Sequence, residues 1–326
     1  MNESKFNMKR FGKIVLSVAV LAAAIFFIAN AVARDWSAVQ EFEWKLNFGL
    51  LTASVLVGCS AGFVTIKVMQ RIMKAFGGRV PFSRFAFFAM LSNFGKYIPG
   101  KVAQIASILI LLKREGIPRL MTLATMVVFE IMLIMVPIIV GIVLVGPEVV
   151  REFALNVPFW VFGIIALIGI LFTLPPVMQF LAKKLLAIFK RESVEYDLSY
   201  RDWAVAIAAM FFAWILYSIS FALLVAGLVD IPAGSCMLVA GAFSLAYTIG
   251  LLVIVTPGGL GVREGILLLI LATVFPSGVA GLIATAARLW ILIIELVSLG
   301  IAFVIFRISG KGKVSQYIHK REDEVI

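Results

Sequence analysis

Eleven residues, V-T-P-G-G-L-G-V-R-E-G at 255–265, carry the densest chemistry in the sequence. Gly258, Gly259 and Gly261 let the backbone turn tightly and present successive N–H groups, and a helix starting near Val262 turns its positive dipole end toward the same space. Such a tip suits an anion, most simply a phosphate. Arg263 adds a planar fork that can hold phosphate through two hydrogen bonds, and the Arg263–Glu264 pair requires polar surroundings. The motif also has a purely mechanical reading, in which P-G-G-L-G breaks a helix and packs its two pieces together.

Further ionisable residues lie inside apolar segments: Glu130, Arg288 and Glu295. Each central charge costs roughly 2.5–3.5 kcal/mol against lipid, so these residues are expected to face one interior. Arg288 and Glu295 share a helix face, but two turns separate them by roughly 10 Å, too far for a direct bridge. Each therefore needs a partner elsewhere. The expectation is a network joining Glu130, Arg263, Glu264, Arg288 and Glu295, serving either a substrate or helix packing alone. A second Pro-Gly break, N-F-G-K-Y-I-P-G-K-V-A-Q at 93–104, offers Asn93, Lys96, Tyr97, Lys101 and Gln104. Its lysines either meet a helix start or snorkel to the headgroups.

Other chemistries lack material. His319 is the single histidine, so His-based metal or triad chemistry is excluded, and no metal or cofactor is expected. Cys59 and Cys236 lie in apolar segments and read as packing residues rather than a disulfide framework. Glu130 and Glu264 could in principle act as acid and base, but no nucleophile–base pair accompanies them. No enzyme is expected.

The elements that must position these residues are membrane helices. Of 326 residues 62% are hydrophobic and 14% charged, and the mean hydropathy is +1.08, far above a soluble domain. Six segments are long enough to cross a bilayer: 14–33, 46–66, 118–146, 157–180, 203–229 and 278–306. Two apolar pairs, 82–98 with 102–112 and 233–256 with 262–275, have second arms too short to cross and read as re-entrant hairpins. The N-terminal run imitates a signal peptide, but its roughly 20 apolar residues exceed the h-region length and predict a retained span.

The net charge of +11 gathers in a few loops, so it reads as topology rather than nucleic-acid affinity. Lys67, Arg71, Lys74, Arg79 and Arg84 mark one loop as cytoplasmic, and Lys113, Arg114 and Arg119 place both ends of the first hairpin, 82–112, on that side. Lys183, Lys184, Lys190 and Arg191 lie beside an apolar face and predict an interfacial helix on anionic lipid. Both termini are expected in the cytoplasm, and the second hairpin, 233–275, enters from outside. The result is an all-α polytopic membrane protein with six full transmembrane helices and two re-entrant helical hairpins in an inverted repeat. Residues 1–146 form the first repeat, 147–306 the second and 307–326 a cytoplasmic tail. Inverted repeats with broken helices are a recurring plan of secondary transporters.

With N-F-G-K-Y-I-P-G-K-V-A-Q, L-K-R-E-G-I at 112–117, Glu130 and above all P-G-G-L-G-V-R-E-G at 257–265, the sequence resembles the lysylphosphatidylglycerol synthase transmembrane-region family, the flippase-like membrane proteins. The resemblance runs from the first span to about Phe306. It implies the flippase half of bifunctional proteins that aminoacylate phosphatidylglycerol and move the product outward; other members occur beside or fused to glycosyltransferases. Some 20 residues follow Phe306, so no soluble transferase domain is expected and transport rather than lipid synthesis is implied. The implied activity is translocation of an anionic phospholipid or lipid-linked headgroup across the cytoplasmic (inner) membrane of a bacterium or archaeon. Its substrate-binding residues would be Arg263, Glu264, Gly258, Gly259, Gly261, Lys96, Lys101, Gln104, Glu130, Arg288 and Glu295. The alternatives are a non-transporting partner of a glycosyltransferase or other envelope-biosynthesis enzyme and, third, an intramembrane lipid-headgroup transferase.

Overall fold

Asn47 starts the first long helix, its side-chain oxygen accepting from the Leu50 N–H at 3.1 Å. Pro81 and Pro118, at φ of −54° and −58°, each stand immediately before another helix start, where a missing N–H is harmless. Gly146, at φ of 83°, closes the helix opened after Pro118. These signals delimit the elements of a computed structural model. It describes residues 36–97, 102–146, 200–253, 259 and 261–322, with isolated positions at 33, 164, 167, 171, 176, 177 and 180.

Among the described residues the fold is all helical. A short α1 (Trp36–Glu41) precedes α2 (Phe48–Ala75), α3 (Phe82–Asn93), a 3-10 turn (Phe94–Tyr97), α4 (Val102–Arg114) and α5 (Arg119–Val145). Then follow α6 (Tyr200–Ala226), α7 (Cys236–Leu252), α8 (Val262–Leu271) and α9 (Ser277–Glu322). Helices α2, α5, α6 and the first 33 residues of α9 are long and apolar enough to cross a membrane. By contrast α3, α4, α7 and α8 have 12, 13, 17 and 10 residues, each short of the roughly 20 that a helical crossing needs. The expected spans at 14–33 and 157–180 and the interfacial stretch with Lys183, Lys184, Lys190 and Arg191 lie outside the described residues, save the isolated positions.

Two boundaries differ from expectation. Helix α2 runs to Ala75 instead of ending near residue 66, so Lys67, Arg71 and Lys74 lie on a helix rather than in a loop. Lysine and arginine are good helix formers that hold their charge away from the apolar stem, so hydropathy falls before the helix ends. Helix α9 likewise continues through the basic tail to Glu322.

Helix α2 packs along α6, α5 along α7, and α8 along α9. Glycines set the closest approaches: a Cβ at Gly141 would meet Leu245 at 2.6 Å, and one at Gly58 would meet Ile294 at 2.3 Å. Trp214, Phe221, Phe243 and Trp290 fill the shared core. Polar ties cross it. Ser54 donates to the Ser220 carbonyl at 2.7 Å, Ser220 returns a bond to the Ser54 carbonyl, and the Trp290 indole donates to Ser54 Oγ at 2.7 Å. In a medium without water such ties satisfy groups that lipid cannot.

The two ends of the bundle carry different charges. At one, Lys45 pairs with Asp230 while the amides of Lys45 and Asn47 donate to the carbonyls of Leu228 and Gly227 at 2.8 and 2.9 Å. The hydrogen bond and charge of Asp230 hold the Lys45 ammonium above its ordinary range. The other end is the basic one, where Arg84 pairs with Glu115 at 2.9 Å and Arg71 stands 4.0 Å from Asp202.

Candidate functional site

Helix α9 is the rail on which both broken regions close. Eleven residues from its start, about 17 Å along, it presents Arg288; about 10 Å further on it presents Glu295. Both lie within the 33 residues of α9 that are long and apolar enough to cross a membrane.

The first break reaches Glu295. After Asn93 the chain tightens into the Phe94–Tyr97 turn, because α4 passes so close that a Cβ on Gly95 would lie 2.4 Å from the Gln104 nitrogen. The turn and the end of α3 aim three donors at one carboxylate. Lys96 forms a salt bridge with Glu295, Tyr97 donates to its Oε2 at 2.9 Å, and Asn93 donates to its Oε1 at 3.4 Å. Gln104 donates to Asn93 Oδ1 at 3.4 Å and so steadies the group. The Lys96 side chain is 17% exposed and engaged inward, which decides against snorkelling for this lysine. Lys101 lies outside the described residues.

The second break reaches Arg288. Gly261, at φ of 87°, adopts a conformation that side chains rarely take, and its N–H donates to Glu264 Oε2 at 2.7 Å. Glu264 thus caps α8, and its other oxygen faces Arg288 Nη1 at 3.8 Å. The Gly261 N–H, expected to face a bound anion, here serves the protein's own Glu264 carboxylate. Gly259 packs against the α7 backbone, where a Cβ would meet the Gly250 carbonyl oxygen at 2.9 Å. Gly258 lies outside the described residues.

Arg263 is 5% exposed. Its guanidinium carbon lies 4.5 Å from the centre of the Phe243 ring and 5.5 Å from that of Tyr247, while its Nη2 has no hydrogen-bond partner among the described residues. A buried guanidinium N–H without an acceptor is costly. Phe243 and Tyr247 were not singled out from sequence. Their signal was an i, i+4 aromatic pair on one face of α7, indistinguishable there from core packing.

Two ion pairs, Lys96–Glu295 and Glu264–Arg288, hold four of the expected site side chains, with the Arg263 guanidinium over the Phe243 and Tyr247 rings and Glu130 in the wall of the same cavity. The two α9 residues are two turns apart, so Lys96 takes Glu295 while Glu264 takes Arg288. Tyr97 links the ties, since the Arg288 guanidinium carbon lies 5.2 Å from the centre of its ring.

Between the ties lies a cavity with two adjoining lobes of about 90 and 130 Å³ that share Asn93, Lys96, Gln104, Glu130 and Glu295 in their walls. The smaller lobe adds Gly259, Arg263 and Arg288. The larger is mostly apolar, with Met69, Met126, Leu133, Trp214 and Phe243. Ser92 Oγ and Trp214 Nε1, in the wall of that lobe, are also buried without hydrogen-bond partners among the described residues. A polar lobe of mixed charge joined to an apolar one matches an amphiphile better than a free ion.

A match to the family described as Lysylphosphatidylglycerol synthase TM region covers residues 14–298. No curated protein matches the chain.

Proposed function

The chain belongs to the lysylphosphatidylglycerol synthase TM region family, and from that membership we propose that it carries a phospholipid or lipid-linked headgroup of anionic character between the leaflets of a bacterial or archaeal inner membrane. The observation that carries this reading is Arg263: buried, without a partner at Nη2 among the described residues, and lining a cavity that is polar on one side and apolar on the other. A phosphodiester oxygen accepts from Nη2, where the stacked rings of Phe243 and Tyr247 hold the fork rigid. Glu130 and Glu295, in the walls of both lobes, contact the cationic or hydroxyl-bearing part of the headgroup, and the apolar lobe takes the glycerol and first methylenes.

Movement follows from the two ties. Each hairpin tip is fastened to α9 by one buried ion pair, so releasing Lys96 from Glu295 opens the basic end and releasing Glu264 from Arg288 opens the other. Alternate release passes the headgroup without making or breaking a bond, and no enzymatic step is assigned. The positive-inside rule puts the basic end in the cytoplasm.

The test is leaflet distribution of headgroup-labelled phosphatidylglycerol in proteoliposomes, wild type beside Arg263→Ala. A phosphate bond to a buried guanidinium contributes about 1.5–3 kcal/mol, so the variant is expected to move lipid at least tenfold more slowly while unfolding near the wild-type temperature. Equal movement by both would remove Arg263 from the mechanism.

A further inference from the structure

A second cavity, of about 300 Å³, lies at the basic end of the bundle, where the last turns of α2 meet the first turn of α6. Its described walls are Arg71, Ile72, Lys74, Ala75, Asp202, Trp203 and Ala206, none of which lines the central cavity. Trp203 is 1% exposed, yet its indole N–H has no hydrogen-bond partner among the described residues. An indole N–H is a donor only, so it needs an acceptor in a place that protein packing has otherwise closed.

The charges around it specify which acceptor. Among the described walls, Arg71 and Lys74 stand against the one carboxylate of Asp202, an excess of one positive charge. The Arg71–Asp202 approach is loose, Nε to Oδ1 at 4.0 Å, with side chains 44% and 51% exposed, so the guanidinium keeps donors for another group. An acceptor carrying one negative charge and several oxygens satisfies the indole N–H, the guanidinium and the ammonium together. A phosphate group has that form. The site sits at the basic end of α2, a helix long and apolar enough to cross a membrane.

We propose that the cavity bounded by Arg71, Lys74 and Trp203 binds a phosphate group, with the Trp203 indole N–H donating to one of its oxygens. The phosphate comes either from a phospholipid of the adjoining leaflet or from solution. This site is separate from the central cavity and does not depend on the transport reading. Occupied, it ties α2 to α6 at the end where their own ion pair is loose.

The experiment uses the full chain in detergent micelles with 15N-labelled tryptophan. Six tryptophans give six indole resonances, and Trp203 is identified by the one lost in Trp203→Phe. Dihexanoylphosphatidylglycerol is titrated in one arm and inorganic phosphate in the other. A saturable shift of the Trp203 resonance is expected, weakened at least tenfold in an Arg71→Gln, Lys74→Gln double variant whose other five indole resonances match those of the wild type without ligand. Saturation with the lipid alone assigns the phosphate to a leaflet, and equal saturation with inorganic phosphate assigns it to solution; either supports the site. A Trp203 resonance unmoved by both ligands, or moved equally in the double variant, overturns it.

Discussion

Replacing Glu295 by Gln removes one charge from the tie that closes the first hairpin while keeping an oxygen for Tyr97 to donate to. The Lys96 and Glu295 side chains are 17% and 12% exposed, so this pair is largely shielded from solvent. Breaking a buried pair from one side strands the other charge and costs about 3–5 kcal/mol, whereas removing both charges leaves little to compensate. Glu295→Gln and Lys96→Met alone should each destabilise by about 3 kcal/mol or more. The double variant should cost no more than either single, a coupling near the upper end, about 3 kcal/mol, of what neighbouring residues show. The assay is reversible unfolding in mixed micelles followed by tryptophan fluorescence for all four proteins. Simple addition of the two single effects would refute the idea that this ion pair fastens the hairpin to α9.

The other predictions concern packing, core polarity and orientation. Gly95→Ala places a Cβ 2.4 Å from the Gln104 nitrogen and should cost about 1–3 kcal/mol, whereas Gly300→Ala, with nothing within 4 Å, should be neutral or stabilise by up to about 1 kcal/mol; thermal unfolding compares them. Trp290→Phe keeps the ring but loses the bond to Ser54 Oγ, and the same measurement should show a loss of about 0.5–1.5 kcal/mol. Cys236 is exposed at the end opposite the basic one and Cys59 is buried. An impermeant maleimide added to spheroplasts should therefore label Cys236 and leave Cys59 untouched; labelling only after lysis would reverse the orientation.

Much of the architecture was legible because membrane helices obey hydropathy and breaks obey glycine and proline. The expected span at 118–146 is Arg119–Val145, and the expected break before Val262 is a glycine-led helix start. Hydropathy failed where a helix outruns the bilayer, as α2 does past Lys67 and α9 past Arg307, because charge ends an apolar run without ending a helix. Within the site, burial cost pointed correctly to Arg263, Glu264, Arg288 and Glu295 as residues in need of interior surroundings. Spacing alone could not say which partners each α9 residue would meet, since that depends on how the two breaks fold against α9. The aromatic rings beside Arg263 were hidden for a different reason: in a chain with 27 phenylalanines, Phe243 looks like any core residue until the fold brings a cation to its face.

The central claim is that a lipid headgroup passes through the cavity between the two ties by way of Arg263. It is tested most directly by the initial rate at which labelled phosphatidylglycerol changes leaflet in proteoliposomes containing wild type, Arg263→Ala or no protein. The account predicts protein-dependent movement that falls at least tenfold toward the protein-free rate in the variant. Movement at the wild-type rate in a folded Arg263→Ala, or none above the protein-free rate in the wild type, would contradict it.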